Sequence, residues 1–356
     1  MSTRDQIVVV GMGAASALGT GCAAMAAALV EGRDGIRPVD RFETAGLSSG
    51  WAGTWPAWDG RKQTPVTEGT ALDAGAANFS AAALAHPALT EALAQARLDP
   101  MAEGRRMALL LGTCFGDGFT RFAALTEALA DAFGIAGPRL TFCTACSSST
   151  NAIGHARDLL NAGVVDVAVA GGVDVLLREG FAGFNALGVL SAAKCAPFGT
   201  PAGTTLGEGA GFIVLMRAQD ARQRGCQVIA SIDGSGLSAD AHHETAPDPS
   251  GAGIERAVRA ALLDAGVTGT EIDHVNAHAT GTDSNDATEW AAIARALASR
   301  PPASGLKSYL AHGMGAAGVL ELILALVAMR KGLLPATLRA LPPRLGAPPD
   351  PVPQVR

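Results

Sequence analysis

Runs of apolar, largely β-branched residues that end in small-residue turns and give way to helical spacing recur along the chain, and no other feature limits its fold so closely. Residues 7–10 are Ile-Val-Val-Val, followed by Gly11-Met-Gly13-Ala-Ala-Ser16 and a helical stretch to Leu29. Residues 107–111, 140–142, 164–170 and 212–215 are further strand-like runs, with helical spacing over 72–96, broken at His86-Pro87, and over 125–133. The pattern then begins again: a strand over 227–234, a helix over 252–265, a strand over 272–276 and a helix over 318–329 behind a glycine-rich turn. Short continuous apolar runs predict buried strands, and strands alternating with helices predict an α/β layered fold with mostly parallel sheets. The repetition predicts two pseudo-symmetric halves, residues 1–222 and 223–340, dividing near 219–225, and then a proline-rich tail over 341–356. Residues 48–70, rich in Gly, Pro, Thr and Trp, predict an irregular excursion. The second half offers no counterpart to the strands at 164–170 and 212–215, because the tail's prolines remove ladder donors. It is expected to lack its last strands.

Residues 140–155 read Leu-Thr-Phe-Cys-Thr-Ala-Cys-Ser-Ser-Ser-Thr-Asn-Ala-Ile-Gly-His. After Cys146 the apolar residues Ala152, Ile153, Ala156, Leu159 and Leu160 share one helix face, so Cys146 sits at a strand-to-helix elbow. Unpaired N–H groups and the positive end of the helix dipole favour a thiolate there, the form of cysteine that attacks carbon. Cys146 is therefore expected to be a nucleophile.

Composition narrows the chemistry. The 356 residues are 48% hydrophobic, enough for a deep core, and carry a net charge of −6 with no basic run, which argues against nucleic acid and anionic membranes as partners. No segment reads as a signal peptide or a membrane span; residues 318–329 come nearest, but are short and carry Glu321. Six cysteines, four of them without a patterned partner, fit a reduced cytoplasmic setting rather than a disulfide framework.

Two further clusters could work with Cys146: His278 in Val275-Asn-Ala-His-Ala-Thr-Gly-Thr282, and Lys307-Ser-Tyr-Leu-Ala-His312-Gly-Met-Gly-Ala-Ala-Gly318. Each lies where a β-run ends in a small-residue turn, the end of a parallel strand at which ligands bind. If the halves repeat, the Cys146 and His312 elbows converge, and a thiol with two imidazoles and an ammonium suits thioester chemistry. Cys143-Thr-Ala-Cys146 has the spacing of a zinc or redox pair but lacks a second ligand pair. His274 and His278 would lie about 13 Å apart on a β-run, too far for one ion. Gly11-Met-Gly13 imitates a dinucleotide turn, but Ser16 replaces the third glycine and no strand ending in an acid follows, so it is read as a plain strand-turn-helix; Gly313-x-Gly315-x-x-Gly318, also without the acid, is read as close helix packing. Glu208, between glycines, and Glu321, in an apolar helix, need a cationic partner, for which Lys307 is the natural candidate.

At these residues the chain resembles the β-ketoacyl-acyl-carrier-protein synthases, elongating Cys-His-His condensing enzymes of the thiolase superfamily. Thr144-Ala-Cys146-Ser-Ser is similar to that family's cysteine motif, Asn276-Ala-His278-Ala-Thr-Gly-Thr282 to its first histidine motif, and Lys307-Ser-x-x-x-His312-x-x-Gly-Ala-Ala-Gly318 to its lysine and second histidine motif. Val8-Val-Val-Gly-Met-Gly13, Gly207-Glu-Gly-Ala-Gly211 and Thr245-Ala-Pro-Asp-Pro249 follow in family order. The resemblance implies a thiolase-like α-β-α-β-α arrangement and decarboxylative Claisen condensation. Cys146 would take an acyl chain from its carrier protein, and His278 and His312 would hydrogen-bond the thioester oxygen of the malonyl partner as carbon dioxide leaves. Lys307 would organise the site with Glu321, and Thr280 and Thr282 would hold the phosphopantetheine arm. It implies no metal, nucleotide or other cofactor, acyl carrier protein as partner, a homodimer or a heterodimer with a related synthase, and a role in fatty acid, polyketide or aryl polyene synthesis.

Three departures from the family pattern shape the expectation. Cys195-Ala-Pro-Phe-Gly-Thr-Pro-Ala-Gly203 lacks the family's charged residues, so an ion pair or carrier contact should be missing; the stretch between Cys114 and Leu140 is short; and the family's closing Gly-Phe-Gly-Gly-x-Asn segment is absent. These predict a divergent or truncated enzyme of impaired turnover. An idle partner subunit and another thiolase-fold acyltransferase are the alternatives, and retained Cys146, His278, Lys307 and His312 favour activity over the first.

Overall fold

The computed structural model describes residues 6–57, 80–116, 122–243 and 246–356. Part of the expected excursion and the start of the expected helix over 72–96 lie outside the described residues, as does Thr245. The first half runs β1 (Ile7–Ser16), β2 (Gly19–Thr20), α1 (Cys22–Glu31), β3 (Ile36–Pro38), β4 (Trp51–Gly53), α2 (Ala81–Ala96), α3 (Pro100–Glu103), β5 (Met107–Gly112), α4 (Phe122–Phe133), β6 (Arg139–Phe142), α5 (Ser148–Asn161), β7 (Val167–Asp174), α6 (Arg178–Ala186) and β8 (Gly209–Arg217). Then follow α7 (Ala218–Gln223), β9 (Ala230–Ser231), α8 (Ala252–Ala265), β10 (Val275–Asn276), α9 (Asp283–Leu297), β11 (Ala303–Ser304), α10 (Lys307–Leu310) and α11 (Ala317–Arg330).

The main sheet has the order β2-β1-β8-β7-β5-β6, with β9 also on β1. Strands β6, β5 and β7 are parallel, and β8 lies antiparallel between β7 and β1. Both faces are covered, so its strands alternate between two cores rather than between core and water. Ile7, Val9, Met12, Ala14, Leu110 and Ile213 join the core under α1, α5 and α11, while Val8, Val10, Leu109, Leu111 and Phe212 join the one under α2 and α4. A bulge between Val9 and Gly11 changes which side β1 presents. At Gly11 a Cβ would come 2.2 Å from the carbonyl oxygen of Ala92 on α2. The Gly-Met-Gly sequence thus lets α2 pack against β1, and the turn expected to follow residue 10 is instead strand, because β1 runs on to Ser16.

Several expectations are corrected. Helix α2 continues through Pro87 rather than breaking at His86-Pro87. Its Ala and Leu face is buried against the sheet, which outweighs one lost N–H and ring clash. The strand expected over 227–234 shrinks to β9, held to β1 by Ile229 N–H to Val9 O at 2.8 Å and Ile232 N–H to Ile7 O at 2.9 Å. Helix α9 is unforeseen, because its buried face carries Asp286 and Glu289 among Trp290, Ile293 and Leu297, and the carboxylates hide the apolar period. Helix α6 is unforeseen as well.

The second half carries little sheet: β10 and β11 pair in parallel, and no strand follows β11 among the described residues. Residues 341–356 run alongside instead, bonding through their non-proline positions. Ala303 N–H donates to Asp350 O at 3.0 Å and Thr337 N–H to Val352 O at 2.7 Å, while Leu334 and Arg356 exchange bonds of 2.5 and 3.2 Å.

The Cys195 loop carries no charged side chain of its own and takes charge support from outside it. Asp34 receives Lys194 at 2.8 Å and Arg339 at 2.7 Å, Arg339 Nε donates to Cys195 O at 2.9 Å, and Asp286 joins Phe198 N–H at 2.8 Å to Arg344 of the tail at 2.5 Å. The charges come from flanking and distant residues rather than from the loop itself. No helix among the described residues is long and apolar enough to cross a membrane.

Candidate active site

Two equivalent turns build the site. The 3₁₀ turn Ala145–Ser147 opens α5, and the 3₁₀ turn Met314–Ala316 opens α11. The first residue of each is strained in the same way, Ala145 at φ 53° and Met314 at φ 54°, a conformation disfavoured outside glycine. Aligned on these turns, Cys146 corresponds to Gly315, and the expected convergence of the two elbows is present.

The thiol of Cys146 and one ring nitrogen each of His278 and His312 all lie within 4.8 Å of one another. The two imidazoles meet edge to face, with centroids 5.4 Å apart and planes at 88°. His312 is buried, whereas Cys146 and His278 are half-buried, leaving the sulfur reachable.

Lys307 sits behind His278. Its Nζ lies 2.6 Å from Glu321 Oε1, 2.5 Å from His278 O and 3.2 Å from His278 Nδ1. An ammonium has three N–H donors, and these contacts use all of them. Lys307 thus organises the site and has no N–H left to offer a substrate. On the other imidazole, the N–H of Met314 donates to His312 Nδ1 at 3.1 Å. Each ring therefore receives a bond at Nδ1, which leaves Nε2 protonated and free to donate.

Burial pushes both imidazoles well below their usual pKa, and the Lys307 charge adds to it, so both are neutral donors near neutrality. The spacing of the trio would admit a metal ion, yet a metal-binding imidazole needs a lone pair at the inner nitrogen and an acceptor for the proton on the other. Here donors stand where those acceptors would have to be. The hydrogen bonds favour a pair of N–H groups aimed at an oxyanion.

The thiol differs from the sequence-based expectation of a thiolate. Burial raises the Cys146 pKa above its usual value, and Lys307 and the residue's own backbone N–H only partly offset that, while Asp174 and Glu321 add to the rise. The helix end is present, and loss of solvent works against it.

Carboxylates that sequence reasoning did not single out support the turns. Glu289 of α9 accepts His278 N–H at 2.6 Å and Ala279 N–H at 2.8 Å, and Asp286 accepts Gly281 N–H at 3.0 Å. Their signal was a helix opening at Thr282 whose inward positions are acidic. Glu321 pairs with Lys307 as expected, but Glu208 does not: it is buried with Arg41 at 2.5 Å and also accepts Trp55 N–H at 2.8 Å and Leu176 N–H at 3.1 Å. Arg41 lies nearer than Lys307 because β4 and the end of β7 bring residues 41, 55 and 176 around Glu208. The Thr280 and Thr282 hydroxyls bond each other at 2.9 Å beside His278.

A sheet covered on both faces, with a thiol and two neutral imidazoles meeting at paired elbows, defines a condensing enzyme of the thiolase-like fold. The chain belongs to the beta-ketoacyl synthase family: residues 4–130 and 123–221 match the model of its N-terminal domain and residues 229–340 that of its C-terminal domain. It is 31% identical, over an alignment 393 positions long, to 3-oxoacyl-[acyl-carrier-protein] synthase 2 of Vibrio cholerae, covering 99% of this chain and 93% of the relative. Nodulation protein E of Rhizobium leguminosarum bv. trifolii is 33% identical over 365 residues, 93% of this chain and 88% of the relative. Among solved structures, the ishigamide ketosynthase/chain length factor superposes with a TM-score of 0.88 at 32% identity, covering 99% of this chain and 93% of that one.

Proposed function

We propose that the chain is a 3-oxoacyl-acyl-carrier-protein synthase in which Cys146 is the acyl-accepting nucleophile, and His278 and His312 stabilise the enolate. The convergence of the thiol with two neutral N–H donors within 4.8 Å carries this reading. Cys146 sulfur attacks the acyl thioester; the carrier's phosphopantetheine thiol leaves and takes the proton that Cys146 gives up. Malonyl thioester then enters and loses carbon dioxide, and its oxygen, now bearing the enolate charge, accepts from Nε2–H of His278 and His312. The carbanion attacks the Cys146 thioester, a carbon–carbon bond forms, and the Cys146 carbon–sulfur bond breaks to release a 3-oxoacyl product. Thr280 and Thr282 share a single hydrogen bond, which leaves one O–H for the phosphopantetheine arm. Lys307, held by Glu321, keeps the His278 tautomer. The carrier supplies the only prosthetic arm, and no metal or nucleotide takes part. The enzyme works as a dimer in the cytoplasm.

Incubation with an acyl-carrier protein should add one acyl mass to the peptide containing Cys146, and malonyl-carrier protein should release carbon dioxide. A chain that forms no adduct is not a nucleophilic synthase, and one that also releases no carbon dioxide is an idle subunit.

A further inference from the structure

Asp174, at the end of β7, is fully buried. Thr113 Oγ1 at 2.8 Å and Phe115 N–H at 2.9 Å donate to its Oδ1; Cys114 N–H at 2.8 Å and Gly315 N–H at 2.6 Å donate to its Oδ2. Three of these donors belong to the turn that closes β5 in the first half. The fourth belongs to the Met314–Ala316 turn of the second half, whose first residue bonds the His312 ring. All four donors are neutral, so the carboxylate's desolvation is offset only while each bond is made. Burial accordingly pushes Asp174 up to about 6. At Gly315 an added Cβ would fall 2.7 Å from Asp174 Oδ2 and 2.7 Å from Thr113, so the second half's turn is pressed directly onto the first half's.

We propose that Asp174 is a positioning residue for condensation: by tying the Met314–Ala316 turn to the turn after β5, it sets His312 against Cys146. It touches neither reacting atom and acts through the turn. Its charge also opposes ionisation of the Cys146 thiol. The inference rests on the roles given above to Cys146 and His312.

Asp174→Asn in the full chain keeps the shape but turns one acceptor into an N–H₂ group facing N–H donors. Condensation kcat and KM, alkylation of Cys146 by iodoacetamide and thermal melting are measured together. The expected result is a fall in kcat of about 100-fold, the scale of a misplacement near 1 Å, with KM within about twofold and alkylation of Cys146 unchanged or faster. Thr113→Val, which keeps the charge and removes one donor, should lower kcat about tenfold, and it decides the case if Asp174→Asn does not fold. Folded variants with wild-type kcat overturn the proposal, as does a parallel loss of kcat and alkylation that tracks the loss of folded protein. A wild-type chain that releases no carbon dioxide removes the underlying reading instead, and this proposal with it.

Discussion

Lys307 Nζ lies 2.6 Å from Glu321 Oε1, and neither side chain is more than 4% exposed. The pair links α10 to α11 directly behind His278. Removing one member of a buried pair leaves an uncompensated charge, which costs about 3–5 kcal/mol. Lys307→Met should therefore lose stability of that order and also lose condensation, because His278 loses the donor at Nδ1. The double variant Lys307→Met/Glu321→Leu should recover most of the stability in denaturant titrations but none of the activity. Recovery of turnover in the double variant would show that Lys307 is only a structural counter-ion.

Cys146→Ala should abolish acyl transfer and condensation while leaving some decarboxylation of malonyl-carrier protein. Both Nε2–H donors are held by groups other than the sulfur: Lys307 on His278 and the Met314 N–H on His312. Carbon dioxide release against time distinguishes the outcomes, and complete loss of release would mean that the thiol also shapes the donor pair.

The pH dependence has a definite sign. Unfolded imidazoles titrate near about 6.5, whereas burial and Lys307 hold His278 and His312 well below that in the folded chain. Below that pH the unfolded state binds protons which the folded state refuses, so this contribution destabilises the fold as the pH falls. His312→Gln removes one such group. The stability lost between about pH 7 and about pH 5.5 should be smaller in that variant than in the wild type. The imidazole resonances of His278 and His312 should stay unshifted over the same range, and midpoints near 6.5 would contradict the neutral-donor assignment.

Arg41 meets Glu208 with both side chains no more than 1% exposed. Arg41→Met leaves the carboxylate with two neutral donors and should cost about 3–5 kcal/mol. The guanidinium of Arg41 bonds Glu208 and Trp55 O, so the alkylation rate of Cys146 in the folded fraction should not move. A change in that rate would place Arg41 in the reaction.

The side chains that meet at the site were legible because each sits in its own local signature of small residues: Cys146, His278, Lys307 and His312. Their pairing followed from the repeated pattern of the halves. Contacts made only by tertiary folding were hidden. Arg41 is 167 residues from Glu208 along the chain, in a stretch without periodicity. Asp174 follows two glycines at the end of an apolar run and reads locally as a strand end. Helix α9 escaped notice because the side chains it buries as Asp286 and Glu289 are the kind that normally mark an exposed face. The rise in the Cys146 pKa was hidden for the same reason: the helix end is local, but burial belongs to the assembled fold.

The turns at Ala145–Ser147 and Met314–Ala316 are one joint made twice, and only one copy has room for a side chain. Where the first projects sulfur, the second brings Gly315 against Thr113 and Asp174. The near-duplication therefore cannot yield two workplaces. On the role proposed for Cys146, each polypeptide holds one acyl chain at a time.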